Sequence, residues 1–188
     1  MSSLQGKTVL VTGGGRGLGA AICTALAHEQ ACVIVADIDE GSAQRCCRQL
    51  QAQGVEAHPL AFDVGDEAQV QTVMQHVQQR FQRLDVLVNN AGVDVTKPIE
   101  ELDSREWDRV IHTNLRGPFL TAKCAAPMMR AQGGGAIVNI VSTAAKRAWP
   151  NAAAYHASKW GLLGLSHALH AELRPYRIKV SAIVAGGM

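Results

Sequence analysis

Short runs of apolar, largely β-branched residues alternate along the chain with longer segments of helical periodicity. Six of these runs predict strands: KTVLVTG, ACVIVADI, EAHPLAFDV, LDVLVNNAG, GAIVNIVS and IKVSAIVA. The segments between them predict helices at about residues 17–29, 40–53, 66–81 and 104–131, with a fifth around residue 155. Strands that are apolar at nearly every position are buried on both faces, so the pattern predicts a parallel sheet with helices on both sides.

The connections between parallel strands are right-handed, which makes the predicted architecture a doubly wound α/β sheet of the Rossmann type. Such a sheet binds ligands beyond the carboxyl ends of its strands, at the point where the strand order reverses. The alternation runs through the whole chain without a linker, repeat or low-complexity tract, and 188 residues can enclose a substantial core. We therefore predict a single domain over residues 1–188.

Charge and composition exclude several classes of partner. The formal net charge is +2 and the basic residues are scattered, so no nucleic-acid partner is expected. No apolar run approaches the length of a membrane span, and the chain enters its first strand without a cleavable signal, so we expect no membrane partner and a cytoplasmic location. Five cysteines without Cys-x-x-Cys spacing indicate free thiols in a reducing compartment.

A glycine-rich turn, TGGGRGLG, follows the first strand and opens a helix, with Gly13, Gly17 and Gly19 at its key positions. Glycines permit a tight turn and let backbone N–H groups and the helix N-terminus approach a pyrophosphate. Methyltransferases also carry such a turn, and it can be a turn without a ligand. Asp37 ends the second strand 18 positions after Gly19, where a carboxylate can accept hydrogen bonds from the adenosine ribose and repel a 2′-phosphate. The combination favours a dinucleotide.

Tyr155 and Lys159 are four residues apart in a predicted helix and so lie on one face. A free tyrosine ionises near pH ~10, so a phenol exchanges protons at neutral pH only if a nearby positive charge stabilises its ionised form. Lys159 supplies that charge, together with an oxidised nicotinamide. Tyr155 is therefore a candidate general acid and base.

The ordered motifs resemble those of the short-chain dehydrogenase/reductase family over the whole chain: TGGGRGLG, Asp37, Asp63–Val64, NNAG at 89–92, Asn114, Ser142, and Tyr155 with Lys159. The resemblance implies an oxidoreductase that interconverts an alcohol and a carbonyl compound. Tyr155 would exchange the proton, Ser142 would hydrogen-bond the substrate oxygen, Lys159 would hold the nicotinamide ribose, and Asn114 would support a water relay. Taken singly, Ser142 could be a cap, Asp37 a solvated strand end and the asparagines turn residues.

The same resemblance implies a nicotinamide cofactor. The implied cofactor contacts are Gly13, Gly15, Arg16, Gly17, Leu18, Gly19, Asp37, Ile38, Asp63, Val64, Asn90, Ala91, Gly92, Tyr155 and Lys159. Asp37 favours NAD, whereas Arg16 lies where the family sometimes holds the 2′-phosphate of NADP, so NADP stays possible. No metal is expected, because His167 and His170 lack a carboxylate or cysteine partner.

Pro118 lies four residues after Asn114 inside the predicted helix 104–131, and proline has no N–H to donate to the Asn114 carbonyl. We hypothesise that the freed carbonyl binds an ordered water near Lys159 as a proton exit; a packing kink is the alternative.

The helix around Tyr155 is apolar nearly all round, which predicts a second subunit against its outer side and hence a homodimer or homotetramer.

The chain ends just after the sixth strand, where the resembled family continues through a substrate loop to a seventh strand. We therefore expect a chain that lacks the seventh strand and the substrate-loop region. The alternative to an oxidoreductase is a non-catalytic nucleotide-binding or scaffolding form. Segments 93–98 and 144–151 are expected to line the pocket of a small-molecule substrate. Trp149 could stack on a ring of the substrate or fill a gap in the packing, and we expect the latter.

Overall fold

The computed structural model describes residues 4–186, so residues 1–3 and 187–188 of the predicted domain lie outside the described part. Its sheet has six parallel strands in the order β3-β2-β1-β4-β5-β6. The strands are β1 (Thr8–Thr12), β2 (Cys32–Asp37), β3 (Ala57–Ala61), β4 (Val86–Asn89), β5 (Gly135–Ser142) and β6 (Ile178–Ala185). The order reverses between β1 and β4, which confirms the predicted doubly wound Rossmann-type sheet and places a crevice at their carboxyl ends.

Six α-helices connect and cover the strands. They are α1 (Gly17–His28), α2 (Glu40–Gln51), α3 (Glu67–Phe81), α4 (Ser104–Ile111), α5 (Gly117–Ala131) and α6 (Ala153–Leu173). None of the helices between residues 4 and 186 combines the length and hydropathy that a bilayer-crossing segment needs.

The core lies in two layers, one on each face of the sheet, because successive strand residues point in opposite directions. On β1, Leu10 packs with residues of α3 and α5, whereas Val9 and Val11 pack with α1 and α2. Helix α6 joins the first layer through Leu173. Strand β6 is an edge of the described sheet, and Ile183 on it is 51% exposed.

The predicted helix 104–131 is wrong as one continuous α-helix. Residues His112–Arg116 form a π-helical turn between α4 and α5, and the Gly117 N–H bonds to the His112 carbonyl five residues earlier. Pro118 sits in the first turn of α5, directly after the π-helical turn, and it has no N–H to donate to a carbonyl of that turn. The chain thus changes its hydrogen bonding at the turn that contains Asn114, which is where the proline was expected to open it.

Candidate active site

A cavity of about 900 Å³ lies at the carboxyl ends of the strands. It passes from the end of β3 across β2, β1 and β4 to β5, about 19 Å at the usual spacing of strands. Predicted site residues that line it are Gly13, Arg16, Leu18, Gly19, Asp37, Ile38, Asp63, Val64, Asn90, Ala91, Gly92, Ser142, Tyr155 and Lys159. Gly15, Gly17 and Asn114 do not line it.

The glycine-rich turn after β1 is closely packed against the turn after β4. Gly13 has φ +62°, and a Cβ there would lie 2.8 Å from the Cα of Ala91. A Cβ on Gly19 would overlap the Gly13 carbonyl oxygen. Asn90 fastens the two turns together, because its Nδ2 donates to the carbonyls of Thr12 (3.0 Å) and Gly13 (3.1 Å). The Asn90 side chain therefore holds the shape of the turn.

The N-terminus of α1 is built to receive an anion. Its N-cap, Arg16, makes no side-chain capping bond, and its first turn contains no acidic residue. Helices α2, α3 and α4, by contrast, are capped by Asp39, Asp66 and Asp103. Free N–H groups at a helix N-terminus attract a phosphate, so the turn and the helix fit the pyrophosphate of a dinucleotide.

Asp37 lies at the carboxyl end of β2 with only 8% of its surface exposed. One carboxylate oxygen accepts the Gly15 N–H (3.0 Å) and the other accepts the Asp39 N–H (3.1 Å). These bonds fix the carboxylate beside the glycine-rich turn on the cavity wall. Ile38 next to it is 70% exposed and offers an apolar surface to the same cavity.

Asp63 and His112 meet at the β3 end of the cavity. His112 Nε2 lies 3.6 Å from Asp63 Oδ2, and Asp63 Oδ1 accepts the Gly65 N–H at 2.8 Å. Val64 and Phe62 beside them are buried and apolar. This end can hold a flat apolar ring with a polar edge.

Lys159 and Tyr155 occupy the β5 end, on α6. The Lys159 Nζ donates to the Ile140 carbonyl at 2.9 Å and lies 5.5 Å from the centre of the Tyr155 ring. Lys159 is 4% exposed, and this burial lowers its pKa to about 8. The amine is therefore mostly charged at neutral pH and close to its titration point. Both side chains line the same cavity, as the spacing predicts.

Ser142 ends β5 on the same wall, 9% exposed. Its hydroxyl oxygen accepts the Ala144 N–H at 3.2 Å, so it caps the short turn that follows. The hydroxyl proton is not used in that bond and is free to point into the cavity.

Asn114 is completely buried behind the cavity wall. Its side chain exchanges two hydrogen bonds with the backbone of Val93: Oδ1 accepts the N–H at 2.8 Å and Nδ2 donates to the carbonyl at 2.8 Å. Nδ2 also donates to Ser158 Oγ (3.1 Å), which in turn donates to the Tyr155 carbonyl (2.8 Å). A Cβ on Gly92 would be 3.5 Å from Asn114 Oδ1 and 3.8 Å from Lys159 Nζ, so these two groups flank Gly92.

A buried polar chain under the cavity was missed by the sequence analysis. Asn89 Nδ2 donates to Asn139 Oδ1 (2.9 Å), Asn139 Nδ2 donates to Ser166 Oγ (2.8 Å), and the Thr121 hydroxyl donates to Asn89 Oδ1 (2.7 Å). It ties β4 and β5 to α5 and α6. Arg109, His112 and Thr113, which also line the cavity, were missed because nothing in the helical pattern marks them.

Within residues 4–186, one group outside the cavity has the composition of a metal site. The ligand atoms of Cys32, Glu56 and His58 lie within 4.8 Å of one another, and the site is empty. Arg80 Nη2 lies 3.1 Å from His58 Nδ1, which must accept, so the Nε2–H faces Glu56 and offers no lone pair. Burial raises the pKa of the Cys32 thiol to about 12, which also disfavours a ligating thiolate.

Comparison with known proteins places the chain in a family. Residues 7–188 match the model of the family described as short chain dehydrogenase. The chain therefore belongs to the short-chain dehydrogenases, a family of oxidoreductases, as the resemblance implied.

Similar proteins include dehydrogenases of alcohols. The chain is 40% identical over 180 residues to a D-threitol dehydrogenase of Mycolicibacterium smegmatis, covering 96% of this chain and 69% of the relative. It is 36% identical over 186 residues to a cyclopentanol dehydrogenase of Comamonas sp., covering 99% of this chain and 74% of the relative.

Solved structures share the fold. An NAD+-bound xylitol dehydrogenase matches with a TM-score of 0.95 and 33% identity, over 98% of this chain and 72% of that one. A metagenomic short-chain oxidoreductase in complex with NADP matches with a TM-score of 0.95 and 38% identity, over 99% of this chain and 85% of that one. The similar structures thus hold one or the other of the two nicotinamide cofactors.

Proposed function

We propose that this chain transfers a hydride between a nicotinamide cofactor and a small alcohol or carbonyl substrate. The observation that carries the proposal is that Ser142, Tyr155 and Lys159 line one end of a single cavity whose other parts are a glycine-rich turn and an uncapped helix N-terminus. When bound, the nicotinamide ring supplies or accepts the hydride.

The residues of the chain then have separate roles in moving the proton. The Tyr155 phenolate takes the proton from the substrate hydroxyl, or the phenol gives its proton to a carbonyl oxygen in the reverse direction, and Ser142 donates a hydrogen bond to the same oxygen. The Lys159 ammonium would hydrogen-bond the nicotinamide ribose, and it holds positive charge near the phenol. Asn114 fixes Val93 and Ser158 around this group, and its carbonyl, at the π-helical turn, is proposed to hold the water that relays the proton outward.

We propose NAD as the preferred cofactor. The Asp37 carboxylate on the cavity wall would accept hydrogen bonds from the ribose hydroxyls and repel a 2′-phosphate. Arg16, exposed on the same wall, is the residue that would allow NADP.

We further propose one domain over residues 1–188, a cytoplasmic location and a homodimer or homotetramer. Trp160 on the outer side of α6 is 56% exposed and would be covered by a second subunit. Light scattering at micromolar concentration tests this, and a monomer would contradict it.

The function is tested by incubating the protein with NAD+ or NADP+ and a panel of cyclic, linear and polyhydric alcohols, and by following the absorbance of the reduced cofactor. Turnover of any alcohol, with NAD+ preferred, is expected. Cofactor binding without turnover on the whole panel, in both directions, would instead favour a non-catalytic nucleotide-binding form.

A further inference from the structure

The segment between β5 and α6 carries Trp149, which is 42% exposed and lines the cavity, as do Ser142, Thr143 and Tyr155. This end of the cavity lies beside the groups that would receive the reacting oxygen. An exposed indole in a concave site is a large rigid apolar surface with little conformational entropy to lose on binding.

His156 holds this segment in place. The Trp149 N–H donates to His156 Nε2 at 3.2 Å, and His156 Nδ1 lies 2.8 Å from the Ala144 carbonyl oxygen. A backbone N–H can only donate and a carbonyl can only accept, so the imidazole carries its proton on Nδ1 and is neutral. Both ring nitrogens are therefore used, one on Ala144 near the start of the segment and the other on the Trp149 backbone.

The imidazole also sets the orientation of the indole. The rings of Trp149 and His156 meet edge to face, with centroids 4.3 Å apart and an interplanar angle of 64°. The far end of the segment is tied to the chain after β4, because the Lys97 N–H donates to the Asn151 carbonyl at 2.8 Å. Since His156 follows Tyr155 on α6, the indole is fixed relative to the tyrosine.

We propose that Trp149 is the apolar wall of a substrate subsite, that His156 positions it, and that the subsite takes a cyclic or otherwise apolar group attached to the reacting carbon in preference to an open-chain polyol. The inference rests on the proposed function, because it assigns the substrate class of the same site. A ring gains contact with the indole face, whereas polyol hydroxyls laid against that face would lose water and find no hydrogen-bond partner on it.

Binding tests the subsite without requiring turnover. The Tyr155→Phe protein with NAD+ present is titrated with cyclohexanol and with xylitol, and the dissociation constants are measured by saturation-transfer NMR. We expect cyclohexanol to bind more tightly, and Trp149→Ala to weaken it about tenfold while Trp149→Phe retains most of the affinity. Trp107→Ala is the matched control, since Trp107 is 36% exposed but does not line the cavity.

His156 is tested as a positioning residue by a double-mutant cycle. His156→Ala alone should weaken cyclohexanol about as much as Trp149→Ala, leave xylitol unchanged, and add nothing in the Trp149→Ala background. Additive losses would show that His156 does not act through Trp149. Three results would overturn the subsite. Trp149→Ala could weaken the binding of both alcohols equally, it could weaken the binding of neither, or the parent protein could bind xylitol more tightly than cyclohexanol.

The failure of this inference is distinguishable from failure of the proposed function. Preferential binding of cyclohexanol that depends on Trp149, without oxidation of any alcohol by the unaltered protein, would refute the function and leave the subsite. Oxidation that is unaffected by Trp149→Ala, with xylitol preferred, would refute the subsite and leave the function.

Discussion

The amine of Lys159 lies 5.5 Å from the centre of the Tyr155 ring, one helical turn along α6, in a place where only 4% of the lysine is exposed. The fold therefore keeps a positive charge in a poorly hydrated position next to the phenol. Burial of this kind destabilises the protein whenever the lysine is charged.

The cost of burying Lys159 should appear in the pH dependence of stability. Its pKa is about 8 in the folded chain and 10.5 when unperturbed, so between these values the unfolded chain binds a proton that the folded chain does not. Relative to a variant without this amine, the free energy of unfolding should therefore rise with pH across this window, by about 3 kcal/mol. The cysteines, whose pKa values are raised by burial, lower the free energy of unfolding in the same window, but they do so equally in both proteins. Urea unfolding of the apoprotein and of Lys159→Met at pH 7 to 10.5 measures it. The curve of the unaltered protein should rise relative to that of the Met variant, and parallel curves for the two proteins would contradict the account.

Asn114 should be as important for stability as for the site. Asn114→Ala removes three buried hydrogen bonds and leaves the N–H and C=O of Val93 without their partner. We expect a loss of about 2–4 kcal/mol in the free energy of unfolding, measured in urea. Gln44→Ala is the control: its amide bonds Glu40 on the exposed face of α2, and its removal should change stability by less than about 0.5 kcal/mol. Similar small losses in both variants would contradict this role of Asn114.

Asp37 should set the cofactor preference through its charge. Asp37→Asn keeps an oxygen that can accept the Gly15 N–H but removes the negative charge. We expect the ratio of the NADPH to the NADH dissociation constant to fall about tenfold, as measured by fluorescence titration. Asp94→Asn removes another carboxylate from the cavity wall and should leave the ratio unchanged. An unchanged ratio in Asp37→Asn would remove Asp37 from this role.

Most of the fold could be predicted because it is encoded locally. The apolar runs mark the six strands to within a few residues, and the glycine-rich turn marks where the ligand crevice begins. The division of helix 104–131 could not be read from periodicity, because a π-helical turn changes the backbone hydrogen bonds without changing which residues are apolar.

The site was predictable where a residue type has few other uses, as for Tyr155 and Lys159. The pairing of Asn89 with Asn139 was not, because it depends on which residues of β4 and β5 come opposite each other. The role of His156 depends likewise on where the Trp149 backbone comes to lie. Asn90 belongs to both cases. Its position on the wall of the ligand crevice could be predicted, but its bonds to the Thr12 and Gly13 carbonyls depend on how the two turns pack.

The account depends most on proton transfer by Tyr155, and Tyr155→Phe tests it most directly because the ring is kept and only the hydroxyl is lost. NADH affinity and the free energy of unfolding should stay close to those of the unaltered protein. The single-turnover rate of hydride transfer to a carbonyl substrate, followed at the absorbance of NADH, should fall by about 10²–10⁴. A Tyr155→Phe protein that binds NADH normally and transfers hydride at the unaltered rate would contradict the proposed chemistry.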